Sequence, residues 1–181
     1  MFEVMGEGLV EGARQAASPN CNQRPDLSDV SLLVLHNISL PPGQFGGTQV
    51  EEFFSNGLDH SKHPFFREIE GVKVSAHLFV RRDGEVVQFV SLELRAWHAG
   101  VSCFEGREGC NDFSIGIELE GTDSLAYTEE QYHALARVTR AIQKRYPAIT
   151  ADRIVGHCDI APGRKTDPGD SFEWDRFRAM L

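Results

Sequence analysis

The chain has 181 residues, enough for one domain with its own core and no need of disulfide or metal staples. Hydrophobic residues make up 41% and charged residues 25%, which sets aside disordered and fibrous classes. Its 27 Asp and Glu outweigh 18 Lys and Arg, a net charge of −9 with no basic run, which argues against phosphate-driven binding to nucleic acid or an anionic membrane.

Residues 1–29 are rich in Gly, Asn, Pro and Asp and weakly periodic, and read as an N-terminal arm lying over a domain at 30–181. Glu3 and Glu7 stand where a signal peptide carries Lys or Arg, and no apolar run of h-region length follows. No window approaches the roughly 20 apolar residues of a membrane span. Cys21, Cys103, Cys110 and Cys158 form no C-x-x-C pair and match no zinc ribbon or finger. Four free thiols in a reducing compartment, hence the cytoplasm, are expected; a Cys103–Cys110 disulfide is the alternative.

Ser31 to Ile38 (SLLVLHNI) is short, apolar and branched, as a buried central strand requires. Prolines and glycines break the chain at Leu40 to Gly47. Thr48 and Glu51 suggest a capping box for a helix to about Asn56, stopped by Gly57, and 58–72 reads as a polar loop. Val74 to Val80 and Glu85 to Val90 are strand-like, with Asp83-Gly84 as a two-residue hairpin signal. Phe113 to Glu120 (FSIGIELE) alternates like a strand. Thr128 and Gln131 open a helix as a capping box, its apolar face Leu135, Val138, Ile142 and Tyr146, and Pro147 ends it. Ile154 to Gly156 is a short strand. Phe172 to Leu181 is a last helix capped by Asp170 or Ser171, with Trp174, Phe177 and Leu181 inward. The pattern predicts a single α/β domain, a mixed central sheet of about five strands flanked by helices.

Seven histidines are present, without an H-E-x-x-H pair, so spacing alone assigns no metal site. His36 and His157 each close a strand before a loop, where α/β sheets tend to form a crevice. A buried histidine with one hydrogen bond is the plainer reading of either alone. The segment GHCDIAPGRKTDPG (156–169) adds Asp159, Lys165 and Asp167 in a loop stiffened by Pro162 and Pro168. Two imidazoles and a carboxylate suit catalytic zinc with a fourth position left for water, although a charged loop can also be a solvated turn.

These stretches, with LHNISLPPGQFGG (35–47), VSAHLFVRRDGEVVQFV (74–90), RAWHAGVS (95–102), NDFSIGIELEGTD (111–123) and the C-terminal FEWDRFR, resemble the N-acetylmuramoyl-L-alanine amidase family of zinc amidases, which is related to the peptidoglycan recognition proteins. The resemblance runs from about residue 31 to the end. It implies the amidase fold, one zinc ion per chain held by His36, His157 and Asp167, an acid/base carboxylate at Glu118 and a cation at Lys165. Zinc would activate a water and polarise the scissile carbonyl, Glu118 would shuttle the proton, and Lys165 would stabilise the oxyanion. Glu120, two residues on along the same strand face, is the carboxylate most easily mistaken for Glu118. Asn37, Lys73, His77, Ala96, Trp97, His98 and Leu119 fall where the family lines its cleft. Core placement of Trp97 and a supporting role for His77 stay open, and Asp159 is a candidate to orient a zinc histidine. His60, His63 and His133 read as surface residues.

The branch that the chain most resembles carries arginines at the positions of Lys73 and Gly109. Lysine keeps the charge without the bidentate fork, and glycine loses it. The implied reaction is hydrolysis of the amide joining N-acetylmuramic acid, in its 1,6-anhydro form, to L-alanine of a small muropeptide, in peptidoglycan recycling, with an indirect effect on β-lactamase induction. A monomer is expected, with neither nucleic acid nor membrane as partner. The rivals are a muropeptide-binding module, which would lack a zinc ligand, and a secreted wall amidase, which would want a signal peptide or a wall-binding domain.

Overall fold

A computed structural model describes residues 2–181. The strands in chain order are β1 (Glu3–Val4), β2 (Val10–Glu11), β3 (Arg14–Gln15), β4 (Cys21–Gln23), β5 (Leu32–Ile38), β6 (Leu78–Val80), β7 (Val86–Gln88), β8 (Leu94–Ala96), β9 (Cys103–Phe104), β10 (Arg107–Glu108), β11 (Ser114–Glu120) and β12 (Ile154–Gly156). The helices are α1 (Gln49–Phe54), α2 (Pro64–Glu68), α3 (Glu129–Arg145), α4 (His157–Ile160) and α5 (Trp174–Ala179).

Six strands form the central mixed sheet in the order β12-β5-β11-β6-β7-β3. β5 lies between two parallel neighbours, β11 and β12, which is why its first five residues are apolar or buried without alternation. All seven residues of β11 are buried for the same reason. The sheet has one strand more than the pattern predicts. The addition is β3, which pairs in parallel with β7 through Arg14 and Val87. β4 pairs with β8 in a separate ladder. Segment 2–29 is thus stitched to the domain by main-chain pairing, which its composition does not reveal.

Side chains sort by the pleat. Leu33, Leu35, Ile115 and Ile117 pack with Leu135, Val138 and Ile142 of α3. In β6, Leu78 and Val80 join that cluster, whereas Phe79 turns to Phe53, Phe54, Phe66 and Phe89. Each such large apolar side chain contributes about 1.5–3 kcal/mol on burial. The capping box of α3 forms as expected between Thr128 and Gln131. The helix ends at Tyr146, whose N–H donates to Ile142 O at 2.7 Å.

Several local expectations are corrected. Thr48 bonds Glu52 Oε1 at 2.7 Å instead of capping the backbone, and Glu51 is taken by Arg14 at 2.6 Å. Segment 58–72 contains α2, with Pro64 in its first turn and His63 Nδ1 accepting from Phe65 N at 3.1 Å. Only Leu78–Val80 of the 74–80 run is strand. The hairpin turn spans Arg81 to Glu85, with Gly84 at φ 84°, a conformation that glycine adopts without strain. The last helix starts at Trp174 without a side-chain cap. Phe172 fills the core before it, and Ser171 bonds Thr122 O at 3.4 Å.

Among the described residues, no helix is long and apolar enough to cross a membrane. The parallel strands β12, β5 and β11 end together, and register sets Glu118 beside His36. This carboxyl edge carries the candidate site, as is usual for open α/β sheets.

Candidate metal centre and catalytic cleft

His36 comes from β5, His157 from the turn where β12 becomes α4, and Asp167 from the loop beyond. Asp167 Oδ2 lies 3.0 Å from His36 Nδ1 and 3.0 Å from His157 Nδ1, and the two Nδ1 atoms are 2.9 Å apart. Three hydrogen bonds hold this loop. Asp167 O accepts from Cys158 N at 3.0 Å, and Pro168 O accepts from Tyr127 Oη at 2.7 Å and from Asn37 Nδ2 at 3.1 Å.

The protonation pattern within the triangle is informative. His157 Nε2 is 3.0 Å from the Ala99 carbonyl, which can only accept, so the neutral ring keeps its proton there and turns a bare Nδ1 inward. His36 Nε2 is 2.9 Å from His98 Nδ1, and donation along that line leaves His36 Nδ1 bare as well. With both Nδ1 atoms bare, Asp167 Oδ2 receives no proton from either ring. Burial pushes His36 down to about 4, against the pull of Asp167, so its ring is neutral near pH 7. Two bare nitrogens and one ionised oxygen at mutual contact repel unless a cation lies among them. A tetrahedral zinc with bonds of about 2.0–2.1 Å wants ligand atoms roughly 3.3 Å apart. The observed triangle is slightly tighter than that, and its donor set is a sound one for zinc.

The triangle opens into a cleft of about 600 Å³. Glu118 faces it from β11. Its Oε2 is buried and has no hydrogen-bond partner, an unusual condition for a carboxylate. Burial, then the charge of Asp167, raises Glu118 well above its ordinary value, while Lys165 opposes the shift. Lys165 also lines the cleft and is exposed. Leu40, Pro42, Phe53, Phe65, Val72 and Val74 form an apolar wall.

Of the residues that sequence reasoning assigned, His36, His157, Asp167, Glu118, Lys165, Asn37 and His98 meet at this cleft. Five others do not line it. Leu119 turns to the opposite face of β11 and is 1% exposed in the core beneath α3. Ala96 packs with Phe79 and Phe89. His77 is fully buried, accepts from Gly116 N at 3.0 Å and donates to Leu94 O at 3.0 Å. Trp97 donates to Asn22 Oδ1 at 2.8 Å. Lys73 lines a separate small cavity beside Phe53 and Val72. Asp159 orients no histidine; its Oδ2 accepts from Gly156 N at 2.7 Å and caps α4. Glu120 accepts from Gly46 N at 2.6 Å and Arg82 N at 3.0 Å, away from the triangle.

Sequence reasoning missed the Ala99 carbonyl, because a main-chain acceptor leaves no mark in residue type. It also missed Asp123, which accepts from Asn37 Nδ2 at 2.8 Å and from Thr166 across the cleft mouth.

The chain is similar to known proteins over most of its length. A relative from Citrobacter freundii, the 1,6-anhydro-N-acetylmuramyl-L-alanine amidase AmpD, is 58% identical over 98% of this chain and 95% of its own length. A crystal structure of a selenomethionine derivative of AmpD superposes with a TM-score of 0.95, at 58% identity and 98% coverage of both chains. AmiD from Escherichia coli, solved in complex with anhydro-N-acetylmuramic acid-L-Ala-D-γ-Glu-L-Lys, is 28% identical with a TM-score of 0.62, over 98% of this chain and 65% of that one. Residues 26–170 match the family described as N-acetylmuramoyl-L-alanine amidase, and the chain belongs to that family.

Proposed function

We propose that the chain is a zinc-dependent amidase that cleaves the bond between the lactyl group of 1,6-anhydro-N-acetylmuramic acid and L-alanine of a small muropeptide, in the cytoplasm and as a monomer. The observation that carries the chemistry is the triangle of proton-free ligand atoms at 2.9–3.0 Å beside a buried carboxyl with an unpartnered oxygen. The substrate class rests on the relatives: AmpD carries that activity in its name, and AmiD was solved with an anhydro-muramyl peptide.

Zinc held by His36, His157 and Asp167 would polarise the scissile carbonyl and make a water acidic enough to lose its proton near pH 7. Glu118 accepts that proton and delivers it to the departing alanine nitrogen, and its raised pKa suits both transfers. Lys165 brings a positive charge to the cleft, where the carbonyl oxygen becomes an oxyanion. The apolar wall offers a face to the sugar ring, a task that sequence reasoning gave to Trp97. Turnover releases anhydro-sugar and free peptide for recycling, and removes muropeptides that would otherwise induce a β-lactamase where a host carries one.

Mass spectrometry of anhydro-muramyl-tripeptide incubated with the protein tests the reading. The products should be anhydro-muramic acid and a tripeptide that together gain one water, and a chelator should stop their formation. Cleavage elsewhere, or full activity in chelator, contradicts it. The four cysteines are free thiols, and titration of freshly purified unfolded protein should count all four. A count of two would weaken the cytoplasmic placement.

A further inference from the structure

The two metal histidines come from strands that are far apart in sequence, yet their outer nitrogens are held by two consecutive residues. His36 Nε2 meets the His98 ring at 2.9 Å, and His157 Nε2 donates to the carbonyl of Ala99 at 3.0 Å. Whatever fixes the 98–99 segment therefore fixes both rings at once.

That segment belongs to no strand or helix, so no ladder holds it. Its two main-chain N–H groups instead converge on one side-chain oxygen. His98 N donates to Asn111 Oδ1 at 3.0 Å, and Ala99 N donates to the same atom at 2.8 Å. Asn111 is 7% exposed. Its own carbonyl accepts from Arg24 Nη1 at 3.3 Å, and that buried guanidinium also binds the carbonyls of Asp112 at 3.1 Å and Ser114 at 2.8 Å. The His98 ring is confined from below: a Cβ at Gly116 would lie 2.5 Å from its Cγ, so only glycine leaves room for it on β11. Its Nε2 is 3.1 Å from Ser114 Oγ, and donation there leaves Nδ1 free to accept from His36.

We propose that Asn111 is a positioning residue for the metal centre: its single amide oxygen clips the His98–Ala99 segment and thereby sets the direction of both histidine ligands. The inference rests on the metal reading above. Groups behind metal ligands typically govern affinity by about 10–100-fold, because they preorient the ring and its tautomer. Asn111 acts one step further out and on two ligands together. Removing its oxygen leaves two buried N–H groups unpaired and lets both rings turn. An aspartate in place of Asn111 would keep an acceptor oxygen at the same position and so preserve the clip.

The test is zinc affinity of the full chain, measured by competition with a chromophoric chelator, together with the visible spectrum of the cobalt-substituted protein. Asn111→Ala should bind zinc about 10–100-fold more weakly and shift the cobalt bands. Asn111→Asp should recover affinity to within about tenfold of the parent chain. Asn111→Ser, whose short hydroxyl cannot reach both N–H groups, should resemble alanine and serves if the alanine variant does not fold. Val138→Ala, a cavity in the core under α3, should lower the melting temperature of the metal-free protein and leave zinc affinity and the cobalt spectrum unchanged. Parental affinity and spectrum in Asn111→Ala or Asn111→Ser would overturn the proposal, as would an equal loss in Val138→Ala. A parent chain that binds no zinc would overturn the metal reading, and this inference with it.

Discussion

Glu118 and Glu120 stand two residues apart on one face of β11, both buried, and their surroundings differ in kind. Glu120 is satisfied by the main chain: Gly46 N and Arg82 N donate to its two oxygens at 2.6 and 3.0 Å, tying the 40–47 loop to the β6–β7 turn. Glu118 has an oxygen with no partner, and it faces the cleft beside the metal residues. A carboxylate held through both oxygens by main-chain donors serves to tie those segments together. An unsatisfied one, raised in pKa by burial and by Asp167, is destabilised as an anion and suited to hold a proton. Glu120 thus serves the architecture, and Glu118 is the one free for the proposed chemistry.

Breaking the metal triangle should have the largest effect. His36→Ala should lose stoichiometric zinc, measured by atomic absorption after gel filtration, and activity should fall to background. Retained zinc would remove His36 from the ligand set. Lys165→Ala should keep its zinc and lose on the order of 10²–10³ in kcat, the usual effect of one oxyanion stabiliser. A change confined to KM would make Lys165 a substrate-binding group instead.

Two smaller effects separate the glutamates by stability. Glu120→Ala should destabilise the fold by about 1–3 kcal/mol, since two N–H groups lose their acceptor; urea unfolding of the metal-free protein reads this directly, and an unchanged midpoint would deny the tie. Glu118→Gln should instead stabilise the metal-free protein at neutral pH. The sign follows from linkage: the folded chain holds the Glu118 proton above the ordinary value of 4.5 and the unfolded chain does not, so parental stability falls as pH rises beyond that value. The gain in Glu118→Gln should therefore shrink toward zero as pH falls to about 4.5, the ordinary value. A gain that is constant with pH would point to packing, not ionisation.

The contrast between the two glutamates is only partly written in the sequence. IGIELE shows two carboxylates on one face, and the family resemblance selects Glu118; what distinguishes them physically is that Gly46 and Arg82 arrive from elements far along the chain. The central strands were legible because parallel strands buried on both faces must be apolar throughout, as Leu32 to Leu35 are. β3 was not, because Arg14 and Gln15 form an edge strand through main-chain atoms that any residue supplies. Leu119 shows the limit of carrying a role by position: its strand neighbour Glu118 faces the cleft, so the pleat turns Leu119 into the core. Asp159 had the right chemistry for supporting a histidine, but it lies three residues after Gly156 at a helix start, where capping claims its oxygen.

The most direct test compares kcat of zinc-loaded Glu118→Gln and Glu120→Gln on anhydro-muramyl-tripeptide, with zinc content measured on the same samples. The account predicts full zinc in both, a loss of roughly 10²–10⁴ in Glu118→Gln, and turnover within about tenfold of the parent chain in Glu120→Gln. An inactive Glu120→Gln beside an active Glu118→Gln would contradict it and move the proton transfer to the other carboxylate.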